Sequence, residues 1–139
     1  MISYKKLSIA IFSLFFVGFF YAQKNKTPMY QREWMLISFQ DFSKEYLMEQ
    51  KAELNLSQKQ FSAFMGCNQL MIQGKFNKNK TLKLEVVGAT MSFCEGNMQL
   101  EKQFSLALAT MKKYKIDGHF LTLYNNKGEK MKFVAADWD

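Results

Sequence analysis

The sequence predicts an α+β fold: a small antiparallel, barrel-like β-sheet with one packed amphipathic helix at about residues 98–112. Most of the chain after residue 31 alternates apolar and polar residues, a period typical of half-buried strands. Asp117-Gly118 separates two such runs, and this dipeptide is a strong hairpin signal. One stretch instead repeats apolar residues at helical spacing. A single helix among antiparallel strands makes an α+β domain, and its sheet can remove exposed edges by curling into a barrel.

Residues 1–22 have the composition of a secretory signal peptide. Two lysines precede an apolar run over residues 7–20, and the segment contains no acidic residue. The run is shorter than the ~20 residues that a membrane-spanning helix needs. We predict cleavage after Ala22, with Gln23 as the new N-terminus, and export to the periplasm or the extracellular space. An uncleaved N-terminal anchor is the alternative.

The charge pattern argues against a nucleic-acid partner. The formal net charge is +7, and Arg32 is the sole arginine among 19 basic residues. The lysines are scattered, which is typical of solvated faces, whereas nucleic-acid interfaces favour arginine forks and a basic stripe. We therefore expect that the protein binds no nucleic acid and makes at most peripheral contact with a membrane.

The remaining chain is long enough for one domain. Residues 23–31 are polar and predict a flexible lead, and the folded domain is expected over residues 32–139. Residues 41–50 could form a helical turn or an irregular loop. Alternation predicts six or seven short strands, near residues 34–39, 52–56, 61–65, 82–86, 114–116, 119–124 and 131–133.

The predicted helix over residues 98–112 depends on one apolar stripe. Its members, at positions i, i+4, i+8 and i+11, are Leu100, Phe104, Leu108 and Met111. Asn97 could cap the start of the helix, and Lys112 and Lys113 would suit the negative end of its dipole. We interpret the stripe as core packing rather than as a cofactor site.

The sequence indicates no catalytic or metal chemistry. His119, the single histidine, follows the Asp117-Gly118 turn and is expected at an exposed tip. Two cysteines and one histidine do not provide the four ligands of a structural zinc site, and the common catalytic motifs are missing from the sequence. We expect no enzymatic activity and no cofactor. The acidic residues expected in polar or lysine-rich surroundings are Glu45, Glu49, Glu53, Glu85, Glu101 and Glu129.

Cys67 and Cys94 are the two cysteines of the chain. In an exported domain two thiols most simply form one disulfide, and we predict a Cys67–Cys94 bond. Two buried free cysteines, acting as small hydrophobic side chains, are the alternative.

Several short motifs follow one another in a characteristic order. They are Trp34-Met35-Leu36, Gly66-Cys67-Asn68, Thr90 to Cys94, Leu100-Glu101 with Phe104, and Tyr114, Asp117-Gly118 and Leu121-Thr122-Leu123. This order, over roughly residues 32–134, resembles the META domain family of the heat-shock protein HslJ type. The resemblance implies an antiparallel barrel-like sheet with a packed helix, in exported bacterial proteins linked to envelope stress, and it implies no catalytic residues. The family motif positions are Trp34, Leu36, Gly66, Cys67, Asn68, Thr90 and Cys94.

Two functional hypotheses follow. The first is a non-enzymatic, exported META/HslJ-like domain of the bacterial cell envelope, monomeric, with a role in stress tolerance or in contacts with another envelope protein. The alternative is a small carrier that holds a lipid or other apolar ligand inside the barrel, lined by some of its 14 phenylalanines and 10 methionines. A hydrolase would need a cleft with convergent polar groups, which the sequence does not indicate.

Overall fold

The structure, a computed structural model, describes residues 26–96 and 98–138. The predicted signal peptide, its cleavage site and the predicted cap Asn97 lie outside the described residues. The strands are β1 (Glu33–Phe39), β2 (Glu53–Asn55), β3 (Phe61–Phe64), β4 (Gln69–Phe76), β5 (Leu82–Ala89), β6 (Lys113–Asp117), β7 (Phe120–Tyr124) and β8 (Lys130–Ala135). The helices are α1 (Lys44–Glu49), between β1 and β2, and α2 (Met98–Leu108), between β5 and β6.

All eight strands belong to one antiparallel sheet, in the order β5-β4-β3-β2-β1-β8-β7-β6. The two outermost strands meet at one end. There the backbone N–H of Leu82 donates to the carbonyl of Lys112, and that of Tyr114 donates to the carbonyl of Lys80, each at 2.9 Å. The sheet is therefore curled into a half-barrel joined at one end, and the α+β prediction is confirmed.

Strand β4 is missing from the strands that alternation predicted. Leu70 and Ile72 are buried, but Met71 between them is also apolar, so the pattern of period two is weak. Gly74, which lies within the strand, weakens the sequence pattern further. A Cβ at Gly74 would overlap the carbonyl oxygen of Lys83, so glycine permits the close pairing of β4 with β5.

Helix α2 ends at Leu108, four residues earlier than predicted. The cause is Thr110, whose backbone N–H and Oγ1 both donate to the carbonyl of Ala107, at 3.0 and 2.7 Å. Met111 is still buried in the core. The lysines at 112–113 pair with the sheet and do not cap the helix.

Residues 41–50, for which the sequence left two possibilities, contain the short helix α1. Ser43 is its N-cap, and its Oγ accepts a hydrogen bond from the backbone N–H of Tyr46 at 3.1 Å. Leu47 is fully buried against the sheet. Within the described residues, neither helix is long and apolar enough to cross a membrane.

Side chains fill the interior of the half-barrel. The largest fully buried ones are Trp34, Phe39, Phe104, Phe133, Leu36, Leu47, Leu54, Leu56, Met65, Leu70, Ile72 and Leu84. The buried indole N–H of Trp34 donates a hydrogen bond to the carbonyl of Tyr30 at 2.9 Å. Tyr30, at the described end of the predicted lead, also stacks on Phe76 with ring centroids 4.5 Å apart.

Candidate functional site

Cys67 and Cys94 form a disulfide with Cα atoms 5.8 Å apart, as predicted. The bond joins the turn between β3 and β4 to the segment that precedes α2. Gly66, the preceding residue, has a φ of +99°, and a Cβ there would overlap the side-chain amide of Gln50. This position therefore requires glycine for both its backbone conformation and its space.

Asn68 connects the two segments that the disulfide joins. Its Oδ1 accepts hydrogen bonds from Thr90 Oγ1 at 3.0 Å and from the backbone N–H of Ser92 at 2.8 Å. Its Nδ2 donates to the carbonyl of Ser92 at 3.1 Å and to Glu101 Oε1 at 3.0 Å. Thr90 Oγ1 also accepts from the backbone N–H of Gln69 at 3.0 Å. The side chain of Asn68 is thereby saturated with hydrogen bonds.

Glu101 completes this network from the first turn of α2. The sequence predicted polar or lysine-rich surroundings for it; its partner Asn68 is polar, but the residue is also buried, with only 8% of its surface exposed. Its Oε2 accepts the backbone N–H of Asn68 at 2.8 Å, in addition to the side-chain bond at Oε1. The sequence did contain a signal for the burial of Glu101: it lies between Leu100 and Phe104, on the edge of the apolar stripe.

Five of the seven motif positions thus lie together around this network: Gly66, Cys67, Asn68, Thr90 and Cys94. The other two, Trp34 and Leu36, are buried in the core from strand β1. Sequence reasoning did not find Ser92 or Glu101 as members of the cluster.

The segment between Thr90 and Cys94, which we call the apolar loop, exposes two large side chains. Met91 is 98% exposed and Phe93 is 84% exposed. The residue between them, Ser92, bonds inward to Asn68, and Cys94 fixes the end of the loop. Both apolar side chains are therefore held in water by a fixed backbone. Such exposure is typical of an interaction site.

A second feature is a groove of about 420 Å³ between α1 and the outer face of the sheet, which we call the outer groove. It is lined by Met35, Leu36, Ile37, Lys44, Leu47, Met48, Lys51, Ala52, Glu53, Phe120, Val134 and Trp138. Its floor is one row across four neighbouring strands, because Met35 pairs with Glu53 on one side and with Val134 on the other. Val134 in turn pairs with Phe120.

Aromatic rings close one end of the outer groove. The ring of Trp138 lies edge-on to Phe120 at 5.6 Å between centroids and stacks on His119 at 4.8 Å. His119 is exposed and follows the Asp117-Gly118 turn, in the place that the sequence indicated.

The charged groups of the outer groove are Lys44, Lys51 and Glu53. Among residues 26–96 and 98–138 there is one ion pair, between Arg32 and Asp137. Within these ranges, Lys44 and Lys51 therefore have no carboxylate partner. Glu53 is half-buried and shares the groove lining with these two lysines. Burial, and secondarily the nearby carboxylate of Glu33, raise the pKa of Glu53. Over the same described ranges, no group of three or more side chains could hold a metal ion.

Comparisons with known proteins identify the fold. The family model of the META domain matches residues 27–138. An NMR structure of a protein from Burkholderia xenovorans is similar over 78% of this chain and 83% of its own, with a TM-score of 0.60 and 18% identity. A DUF4847-family protein from Bacteroides vulgatus is similar over 78% of this chain and 95% of its own, with a TM-score of 0.51 and 13% identity. These likenesses show a shared fold. No curated protein matches the sequence.

Proposed function

The chain belongs to the META domain family, and from this we propose that it is a non-enzymatic, exported domain of the bacterial cell envelope that serves stress tolerance through contacts with another envelope protein. The apolar loop carries the proposal. Met91 and Phe93 project into water from a backbone that the Cys67–Cys94 bond and the Asn68 network hold in place.

A contact role fits the chemistry of these two side chains. Phenylalanine is a rigid apolar anchor, and methionine adapts its shape to a partner surface. Because the Asn68 bonds and the disulfide anchor the backbone of the loop, binding would cost little additional conformational entropy. The expected partner is an envelope protein with a shallow apolar pocket.

The export of the protein is supported by the N-terminal sequence and by the disulfide. Disulfides persist in oxidising compartments such as the periplasm and are rare in the cytosol. The Cys67–Cys94 bond therefore agrees with such a location.

The polar cluster supports a structural rather than a catalytic role. The side chains of Asn68, Thr90 and Glu101 bond to one another and to the backbone of Ser92, so the protein itself occupies the polar atoms of these three side chains. A catalytic group needs a polar atom directed at a substrate.

Capture from an envelope extract tests the contact role. The full chain is expressed in a bacterial host with a purification tag, either unchanged or as the Met91→Ser/Phe93→Ser double variant. Leu106→Ser is the matched control, because Leu106 is 65% exposed on α2 and lies outside the apolar loop. We expect one protein to be captured by the unchanged chain and by Leu106→Ser, and to be lost with the double variant. Equal capture by all three would refute the apolar loop as the contact site.

The alternative of a carrier receives no support from the barrel interior, because Trp34, Phe104 and Phe133 are among the large side chains that fill it. An apolar ligand would need a different site, such as the outer groove.

A further inference from the structure

We propose that the outer groove binds a single-chain anionic amphiphile, such as a fatty-acid carboxylate. Its apolar chain would lie along the row of Met35, Val134 and Phe120, and its head group would contact the ammonium group of Lys44 or Lys51. This site is separate from the apolar loop, and the inference does not rest on the proposed protein contact.

The composition of the floor is the first argument. Side chains on the outer face of an antiparallel sheet that meets water are usually polar. Here Met35, Val134 and Phe120 form a continuous apolar row across β1, β8 and β7, and the opposite face of the same strands already supplies the core. The row is therefore apolar without being needed for core packing. An apolar ligand would shield it from water.

The dimensions of the groove fit a small ligand. Ligand pockets generally have volumes of about 300–1,000 Å³, and the outer groove has about 420 Å³. A volume near the lower bound favours one acyl chain over two. Met48 from α1 and Trp138 from the C-terminal segment line the groove from the helix side and from one end.

Charge complementarity indicates the head group. Lys44 is the first residue of α1, Lys51 follows the C-cap of the helix, and both line the groove. Neither is paired with a carboxylate within the described chain, whereas the lining has one acidic residue, Glu53. Two unpaired ammonium groups beside an apolar channel favour an anionic amphiphile over a cationic one.

Trp138 makes the proposal measurable. It lines the groove and is 44% exposed, whereas Trp34, the other tryptophan, is fully buried in the core. A change of tryptophan fluorescence on ligand binding should therefore come from Trp138. The Trp138→Phe variant should abolish the signal.

Titration of the purified full chain with dodecanoate, kept below its micelle concentration, tests the site. We expect a saturable fluorescence change and, by calorimetry, one ligand per chain. Dodecyltrimethylammonium has nearly the same chain length and the opposite charge, and it should bind at least about tenfold more weakly. Equal affinity for the two amphiphiles, or a signal that does not saturate, would overturn the proposal.

Two variants locate the bound ligand. Met48→Glu places a charge at a 58%-exposed groove position, so the fold should tolerate it, and dodecanoate affinity should fall at least about tenfold. Leu106→Glu, on α2, should bind like the unchanged chain. Lys44→Glu/Lys51→Glu should reverse the preference between the two amphiphiles. Equal loss with Leu106→Glu, or a dimer that Met48→Glu dissociates, would overturn the proposal, since a second copy would then cover the groove.

Discussion

Asn68 and Glu101, 33 residues apart in the sequence, form a buried pair joined by two hydrogen bonds. The carboxylate accepts the backbone N–H of Asn68 at 2.8 Å and its side-chain amide at 3.0 Å. The pair attaches α2 to the turn after β3, beside the Cys67–Cys94 bond. The turn after β3 is therefore linked covalently to the segment before α2 and by hydrogen bonds to α2 itself.

Replacing Glu101 with alanine should destabilise the protein by about 1–3 kcal/mol, because the buried N–H of Asn68 would lose its acceptor. Lys102→Ala is the matched control, since Lys102 is the adjacent, exposed residue of α2. Urea unfolding followed by circular dichroism measures both variants. Equal shifts of the two midpoints would show that the pair contributes nothing specific.

Much of the fold was predictable because alternation reports burial on one face of a strand. It succeeded for strands such as β5 and β8, where buried Leu82, Leu84 and Met131 alternate with exposed charged residues. It failed for β4, where Met71 is apolar and faces outward. The predicted end of α2 was wrong because Thr110 ends the helix through side-chain and backbone hydrogen bonds, which the spacing of apolar residues does not indicate.

The candidate sites were harder to predict, because they depend on residues that only the fold brings together. The motif order indicated Asn68 and Thr90, but the bonds that join them to Glu101 cross between β4, β5 and α2. The outer groove needs the register that aligns Met35, Val134 and Phe120 across three strands. The spacing of residues along the chain indicates neither the bonds to Glu101 nor this register.

Phe104→Ala should lower the free energy of unfolding by about 3–5 kcal/mol, as the loss of a buried aromatic side chain does. Phe104 is fully buried and contacts Phe39 edge-on, with centroids 6.3 Å apart. Leu106→Ala, on the exposed side of the same helix, should cost far less. If denaturant midpoints move equally for the two variants, the packing of α2 on the sheet is not what stabilises the domain.

Loss of the disulfide in the Cys67→Ser/Cys94→Ser variant should cost roughly 3–4 kcal/mol on the loop-entropy model, since the bond closes a loop with a sequence separation of 27. Denaturant unfolding with and without a reducing agent measures the effect. The reduced native protein should match the variant, and the variant itself should not respond to the reducing agent. A native protein that is insensitive to reduction would contradict this expectation.

Export should leave a mature chain that begins at Gln23, since the apolar run 7–20 and its preceding lysines predict cleavage after Ala22. Intact-mass measurement of protein from the periplasmic fraction checks the cleavage, with allowance for cyclisation of the terminal glutamine. A chain that keeps its first 22 residues in the membrane fraction would instead support the uncleaved anchor.

Glu53→Gln should stabilise the protein at neutral pH and not at acidic pH. Burial, and then the nearby Glu33, raise the pKa of Glu53 above its ordinary value of 4.5, so the folded state holds this proton more tightly than the unfolded state does. Ionisation therefore opposes folding as the pH rises above 4.5, a penalty that glutamine removes. The advantage of the variant should shrink as the pH falls through the raised pKa and vanish well below 4.5. Urea unfolding across this pH range measures it, with Glu85→Gln, at an exposed position of β5, as the control. An advantage that persists at acidic pH would show that packing, rather than charge, causes the difference.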